Sequence, residues 1–556
     1  MKPIKNLLFP RGNASSIIPF LVIIAVIPFS ELLFDILRHQ YVKGVFTFGF
    51  GILIFLMPLF LFRKHLRLYL IFLVPILLIV PFNLGYILYF HSEMSEATIL
   101  MIMNTNHNEA LELLRNYLAV LIIFTVIYLF ILYLLYRRVP NTIDTRKTVY
   151  VSSVSLMALA ISPLPIYDHS VSYSENIRDA LYDIFPGNVI DGITHVLYQE
   201  KFVRQGENER KNFSYHSWQD TSIKDKQVHV LIIGESSRYD HWGINGYSRN
   251  TSPNLSNRKD LVSYNDVAAG GFMTEWAVPL LLTGVGADHY ESNFHRKGIT
   301  GAFNEAGFNS YWITNQTDYL GYFKVHSLES QKEYDLLTDF RSTKNVVMDM
   351  QLVDTLKKIL SQPGNKKFIV IHGLGSHYSY SARYPDQFDV FKPSNKTVTT
   401  KLTDGKSKNI LINSYDNSIC YTDAVIDSVI SLVDKQNAFS SVTYISDHGE
   451  DLMDDSRGLT SHHQGSPPTK YIAHVPFFVW YSPKLQTKYP EKISNILQHK
   501  NAKVSSQNLI YSLTSMVGIH YPTQDSLKDI TSAYYKDNQQ LIMGENRKVY
   551  PCPAFK

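Results

Sequence analysis

Cysteine is nearly absent: Cys420 and Cys552 are the only two in 556 residues. Two thiols build neither a disulfide framework nor a thiolate metal site; at most they pair with each other. An excess of charge of one sign is missing too. The chain carries 53 Lys and Arg against 49 Asp and Glu, and a formal net charge of +4 gives no argument for nucleic acid. Internal repeats and low-complexity tracts do not stand out. One further scarcity is local: before about residue 165 charged residues are few and apolar residues crowd. A chain of this length exceeds one ordinary domain, and that contrast marks where it divides.

A helix that crosses a bilayer needs about 20 mostly apolar residues. Five segments qualify: 17–37, 44–62, 67–90, 117–136 and 149–166, the last short and rich in serine. The first is too long, with four more behind it, to be a cleaved signal peptide. Lys2, Lys5 and Arg11 precede the first span, Arg63, Lys64 and Arg67 follow the second, and Arg137, Arg138, Arg146 and Lys147 follow the fourth. The alternate loops hold only Arg38, Lys43 and Arg115. The positive-inside rule then predicts a cytoplasmic N-terminus, and five crossings put everything after about residue 167 outside the cytoplasm. In the outer segment 93–116, residues Asn104 to Leu114 read as a capped interfacial helix. Residues 167–226 read as a bridge: amphipathic helices near 176–184 and 189–203, then a charged linker, 204–226.

From Val228 onward, β-rich runs alternate with helical patterns. Val228–Ile233, Ser310–Thr314, Phe368–Ile371, Val442–Ser446 and Val475–Trp480 read as buried strands. Gly301–Gly307, Val347–Leu360 and Asn413–Asp434 read as helices. Such alternation predicts a mostly parallel sheet with helices on both faces, its working residues just past the carboxyl ends of the strands. The expected organisation is thus a five-span α-helical membrane domain over 1–166, the bridge over 167–226, and an α/β/α domain over 227–556.

Three strand ends carry polar groups suited to chemistry. One runs into Gly234-Glu235-Ser236, a second into Asp447-His448-Gly449-Glu450, and a third into His372-Gly373-Leu374-Gly375-Ser376-His377. Elsewhere Gly270-Gly271-Phe272-Met273 leads into Thr274 and an apolar helix, which sets the Thr274 hydroxyl at or near a helix N-terminus. Alone, Thr274 would be an ordinary helix cap. With Glu, Asp and His at neighbouring strand ends and no thiolate at hand, the residues form an N,O ligand set suited to zinc or manganese, and a threonine hydroxyl is a nucleophile only when so activated.

These residues sit in a wider pattern. Gly234-Glu235-Ser236-Ser237-Arg238-Tyr239-Asp240-His241, followed by Gly246-Tyr247-Ser248-Arg249-Asn250-Thr251-Ser252-Pro253-Asn254-Leu255, resembles the opening motif of the phosphoethanolamine transferases, within the alkaline phosphatase/sulfatase superfamily. Further blocks agree in order: Thr274 with Val278-Pro279, Trp312 to Asn315, His372 to His377, Arg383-Tyr384-Pro385, Asn413 to Asn417 with Tyr421 and Asp423, Ser446 to Glu450, and Val475-Pro476. The motifs span 228–482, and the membrane part is similar in layout.

The resemblance implies a sulfatase/alkaline phosphatase-like fold and zinc ligands at Glu235, Thr274, Asp447 and His448, with Thr274 becoming phosphoethanolamine-modified. It implies one tightly bound zinc and leaves room for a second; manganese also suits the set. His372, His377 and either His462 or His463, the latter favoured, match histidines that hold a further zinc or the substrate phosphate. Asn315 matches a substrate-contacting position, and Thr105 and Glu109 match positions that hold the donor headgroup. Met101 stands where the family has an asparagine four residues before that threonine. The implied reaction takes phosphoethanolamine from phosphatidylethanolamine, through Thr274, to lipopolysaccharide (lipid A or core sugar) or another envelope glycan. The implied location is a bacterial inner membrane, with the catalytic domain in the periplasm. The lipid A-modifying branch staples its soluble domain with several disulfides; two cysteines depart from that and leave core sugars, other glycans and surface proteins open as acceptors.

Three rivals carry different signatures. A phosphoglycerol transferase of the lipoteichoic-acid synthase type shares the layout and a threonine nucleophile, and the Glu235–Asp240 and Asn413–Asn417 blocks favour the ethanolamine branch over it. A true sulfatase has proline two residues and arginine four residues after its modified residue, where this chain has Trp276 and Val278. A membrane-anchored scaffold would have no need of an intact ligand set.

Overall fold

The computed structural model describes residues 17–37, 40–90, 94, 96–104, 118–161, 184–316, 321–336, 347–398, 407–454, 460–461, 467–537 and 539–555. The chain divides into two compact units, Met1–Ile99 with Leu113–His195, and Leu100–Glu112 with Val196–Lys556.

Among the described residues of the first unit, two helices are long and apolar enough to cross a membrane, Tyr41–Phe60 and Ala119–Tyr136. The count reaches four if Ile18–Val26 with Phe29–Leu37, bent by 51°, and Leu66–Phe72 with Val74–Leu88, bent by 52°, are each one span. Both bends have the same cause. Pro28 and Pro75 lack the N–H that would continue the ladder, and their rings clash with the carbonyl one turn back. The fifth predicted span appears as the shorter apolar helix Thr148–Met157. Phe20, Ile24, Leu66, Leu77 and Val80 form the centre of this unit's core. Along Ala119–Tyr136 Leu132 alone is buried, and Val120, Ile123 and Phe130 are exposed, as they would be on a helix facing hydrocarbon. In the predicted outer segment the described helix is Glu96–Asn104. It ends where an interfacial helix was expected to begin, so the rest of that prediction lies outside the described residues.

The stretch predicted as a charged linker after Arg204 is helical as far as Asn212, within the helix Gly187–Asn212. Its residues are good helix formers: Glu207 pairs with Lys211 one turn on, at 2.6 Å. Arg210 is buried and donates to the Phe294 carbonyl at 2.7 Å.

The second unit is built on a seven-stranded sheet. Its strands are β1 Gln227–Gly234, β2 Leu261–Tyr264, β3 Asn309–Thr314, β4 Lys332–Asp335, β5 Lys366–His372, β6 Phe439–Ser446 and β7 Phe477–Tyr481. Their order across the sheet is β2-β7-β6-β1-β5-β3-β4. β6, β1, β5, β3 and β4 run parallel, and β7 is antiparallel to both of its neighbours. Central strands covered on both faces should read as continuous apolar runs, and β1 and β6 are buried at every position. Register then decides what meets at the carboxyl edge. Gly234 pairs with Ser446, so Glu235 and Asp447 leave the sheet side by side. Ile233 and Thr314 both pair with His372, which sets the Gly373–His377 loop between the end of β1 and the end of β3. Cys420 and Cys552 are both free.

Candidate active site

At the carboxyl edge, Glu235, Asp447 and His448 each offer one ligand atom, and these atoms all lie within 4.8 Å of one another. All three residues are fully buried. Two backbone features permit the approach. Ser236 holds a left-handed φ of 54°, and its N–H donates to Asp447 Oδ1 at 3.1 Å while its hydroxyl donates to Glu235 Oε1 at 2.7 Å. Gly375, with φ 45°, packs so closely on the Glu235 backbone that a Cβ would meet its N and O at 2.9 Å. Only glycine tolerates both that φ and that contact.

Thr274 is the first residue of the helix Thr274–Thr283, and Met273, in extended conformation, is its N-cap. The first turn closes on the Met273 carbonyl, which accepts from the N–H groups of Trp276 and Ala277. The Thr274 hydroxyl is therefore not a cap. It donates to Glu235 Oε2 at 2.9 Å and lies 3.3 Å from His448 Nε2. His448 Nδ1 sits 2.8 Å from the Gly449 carbonyl, so the neutral ring keeps its proton on Nδ1 and turns the Nε2 lone pair to the cluster. His448 Nε2 is 3.4 Å from Glu235 Oε1 and 3.5 Å from Asp447 Oδ2.

The cluster sets two buried carboxylates against one imidazole. Burial, reinforced by Asp447, pushes the Glu235 carboxyl above its ordinary range. Burial works to lower His448, but Asp447 and Glu235 prevail and raise it to about 9. Asp447 Oδ2 is buried with no hydrogen-bond partner, and an orphaned carboxylate oxygen in such a place costs free energy unless a cation faces it. Two carboxylates, an oriented imidazole and a hydroxyl fit zinc by donor type. One contributor escaped sequence reasoning. Gln316 Nε2 donates to Glu235 Oε2 at 2.9 Å and to the Gly373 carbonyl at 3.0 Å. Its signal was weak: it stands two residues past the end of β3, beside the matched Asn315.

Asn315 itself is buried and turned the other way. Its amide donates to Asp349 Oδ1 at 2.9 Å and to the Val347 carbonyl at 3.1 Å. Asp349 in turn accepts from the N–H groups of Leu374 and Gly375, so Asn315 belongs to the support of that loop. His377 is half-buried and near enough to Glu235 to favour its charged form. His372 is fully buried, wedged edge-on against Phe323 and Trp312, with neither ring nitrogen hydrogen-bonded, and burial lowers it to about 3. The structure thus brings together Thr274, Glu235, Asp447 and His448, sets His377 beside them, and keeps His372 apart. Thr105, Glu109, His462 and His463 lie outside the described residues.

The sulfatase family profile matches residues 227–519. Phosphoethanolamine transferase EptC of Escherichia coli (strain K12) is 24% identical over 511 residues, which cover 89% of this chain and 88% of that protein. The crystal structure of the C-terminal periplasmic domain of EcEptC from Escherichia coli, in complex with zinc, is 25% identical with a TM-score of 0.54, over 60% of this chain and 94% of that one. The integral membrane protein lipooligosaccharide phosphoethanolamine transferase A from Neisseria meningitidis shares the whole fold: its TM-score is 0.71 at 20% identity, over 95% of this chain and 94% of that one. The matched residues make up more than half of the chain and include Glu235, Thr274, Asp447 and His448, and the chain belongs to the sulfatase family.

Proposed function

We propose that this chain is a metal-dependent, membrane-anchored phosphoethanolamine transferase. The observation that carries the reading is the Thr274 hydroxyl, free of any capping duty and held 2.9 Å from Glu235 and 3.3 Å from His448. The relatives' names support the transferred group, and the lipooligosaccharide in one of them supports a lipopolysaccharide acceptor, through lipid A or a core sugar; other envelope glycans fit the same chemistry. The donor in this reading is phosphatidylethanolamine. The five-span count, the bacterial inner membrane and the periplasmic placement of residues beyond about 167 belong to the same reading, supported by the loop charges and by the relative described as periplasmic.

Glu235, Asp447 and His448, with Thr274, would hold one zinc, and manganese suits the same donors; a second zinc would draw on the histidines. Bound there, the cation supplies positive charge that lowers the pKa of a neighbouring hydroxyl and offsets charge on phosphoryl oxygens. In the first step Thr274 Oγ1 forms a bond to phosphorus, and the bond from phosphorus to the diacylglycerol oxygen breaks. The hydroxyl proton, already directed at Glu235 Oε2, passes by way of that carboxylate to the departing diacylglycerol. In the second step an acceptor oxygen bonds to phosphorus as the bond from phosphorus to Thr274 Oγ1 breaks, and the proton the acceptor gives up returns to Thr274 by way of Glu235. His377 and one of His462 and His463 would steady the phosphate, and Thr105 and Glu109 the donor headgroup. His372 and Asn315 enter through the loop they support.

The test is mass spectrometry of lipids and glycans from cells with and without the protein. A gain of one phosphoethanolamine unit on an envelope glycan, with diacylglycerol released, is the expected result. A gain of phosphoglycerol, or no change, would overturn the reading.

A further inference from the structure

We propose that Gln316 is a positioning residue of the metal centre: its amide fixes which oxygen of Glu235 serves the cation and which serves the nucleophile. The inference rests on the reading of Glu235, Asp447 and His448 as a cation site.

Both partners of Gln316 Nε2, Glu235 Oε2 and the Gly373 carbonyl, can only accept. The amide must therefore present its NH2 group to them, and its two N–H bonds match two acceptors. The arm is itself anchored, because the Gln316 backbone N–H donates to Thr314 Oγ1 at 3.0 Å. Thr314 is the last residue of β3 and pairs with His372 at the end of β5, so Gln316 ties two strand ends to one carboxylate.

The consequence lies in how Glu235 is divided. Its Oε1 accepts from the Ser236 hydroxyl and faces His448 Nε2 at 3.4 Å. Its Oε2 accepts from two donors, the Thr274 hydroxyl and Gln316, each at 2.9 Å. Thr274 stops donating once its oxygen is bonded to phosphorus, and Gln316 then remains to hold Oε2. Without it Oε2 has no donor left among the described residues, and the Ser236 hydroxyl at Oε1 alone holds the carboxylate at the moment its geometry matters most. Partners of metal ligands that fix ligand orientation in this way are worth about 10–100-fold in metal affinity or activity.

The experiment uses the full-length protein in detergent, with zinc as the probe. Gln316→Met keeps length and bulk and removes both donors. Zinc affinity is read by competition with a chromophoric chelator, thermal melting is followed without metal, and kcat and KM are measured at saturating zinc with a small soluble phosphodiester. The expected result is zinc binding weakened about 10–100-fold, unchanged metal-free melting, and a fall in kcat without a rise in KM. Wild-type affinity in the variant would overturn the inference and leave the metal site standing. A matching drop in metal-free melting would overturn it in favour of a folding role. Absence of zinc binding in the wild type would overturn the reading beneath it.

Discussion

His448 and His372 start from equivalent places: each stands at the carboxyl end of a central strand and is fully buried. Their neighbours differ. Carboxylates from two adjacent strand ends hold His448 up at about 9, and the aromatic faces around His372 leave it at about 3. Position at a sheet edge does not by itself set a buried histidine's charge. What decides is whether the register beside it delivers opposite charge, and Gly234 paired with Ser446 does so for His448.

The comparison can be broken most severely at the nucleophile. Thr274→Ala removes one hydroxyl from a helix whose first turn closes on Met273, so the fold should persist while transfer falls roughly 10⁴-fold or more. Activity assays beside a melting curve check this, and substantial residual transfer would reassign the nucleophile. Next in size is the ligand contrast. Asp447→Asn or His448→Ala should remove bound zinc and activity together, each supplying one of about four ligands. His372→Phe should leave zinc affinity within about threefold, since an apolar ring replaces a ring in apolar surroundings. Metal analysis of the purified variants decides, and loss of zinc in His372→Phe would erase the distinction.

Proton competition gives a third, graded effect. In the metal-free protein His448 keeps a proton up to about 9, so zinc uptake below that pH must displace it. Apparent zinc affinity should fall about tenfold for each pH unit below that value. His372, lowered to about 3, adds nothing over the same range. Zinc titrations at several pH values check the slope, and a flat profile would contradict the raised His448.

The smallest effect lies on the scaffold. Asp423 accepts from the backbone N–H groups of Asn254 and Leu255, so Asp423→Ala should destabilise the second unit by about 1–3 kcal/mol and leave zinc binding in place. Chemical denaturation measures it, and zinc loss without destabilisation would move Asp423 into the site.

The strand ends were legible in sequence because buried parallel strands read as apolar runs that stop at polar residues. Register was not, since pairing between β1, β5 and β6 is a matter of tertiary packing over long separations. The Asn413–Asn417 block was visible as a motif, but its work was not: Tyr415 donates to the Ser236 carbonyl and Asp416 accepts from Arg249 and Tyr247, pinning the loops that follow Glu235. Asn315 and Gln316 show the finest limit. Adjacent residues at a strand end point to opposite sides, and one list of polar residues does not say which of the two reaches Glu235. The prolines that bend two apolar helices were in plain view, yet hydropathy reads through them.

The most direct measurement is peptide mass spectrometry of the full-length protein after brief exposure to phosphatidylethanolamine in detergent, without acceptor. The account expects one phosphoethanolamine group on Thr274, absent from Thr274→Ala and discharged when a lipopolysaccharide acceptor is added. Turnover with no adduct on Thr274, or an adduct that no acceptor removes, would contradict it.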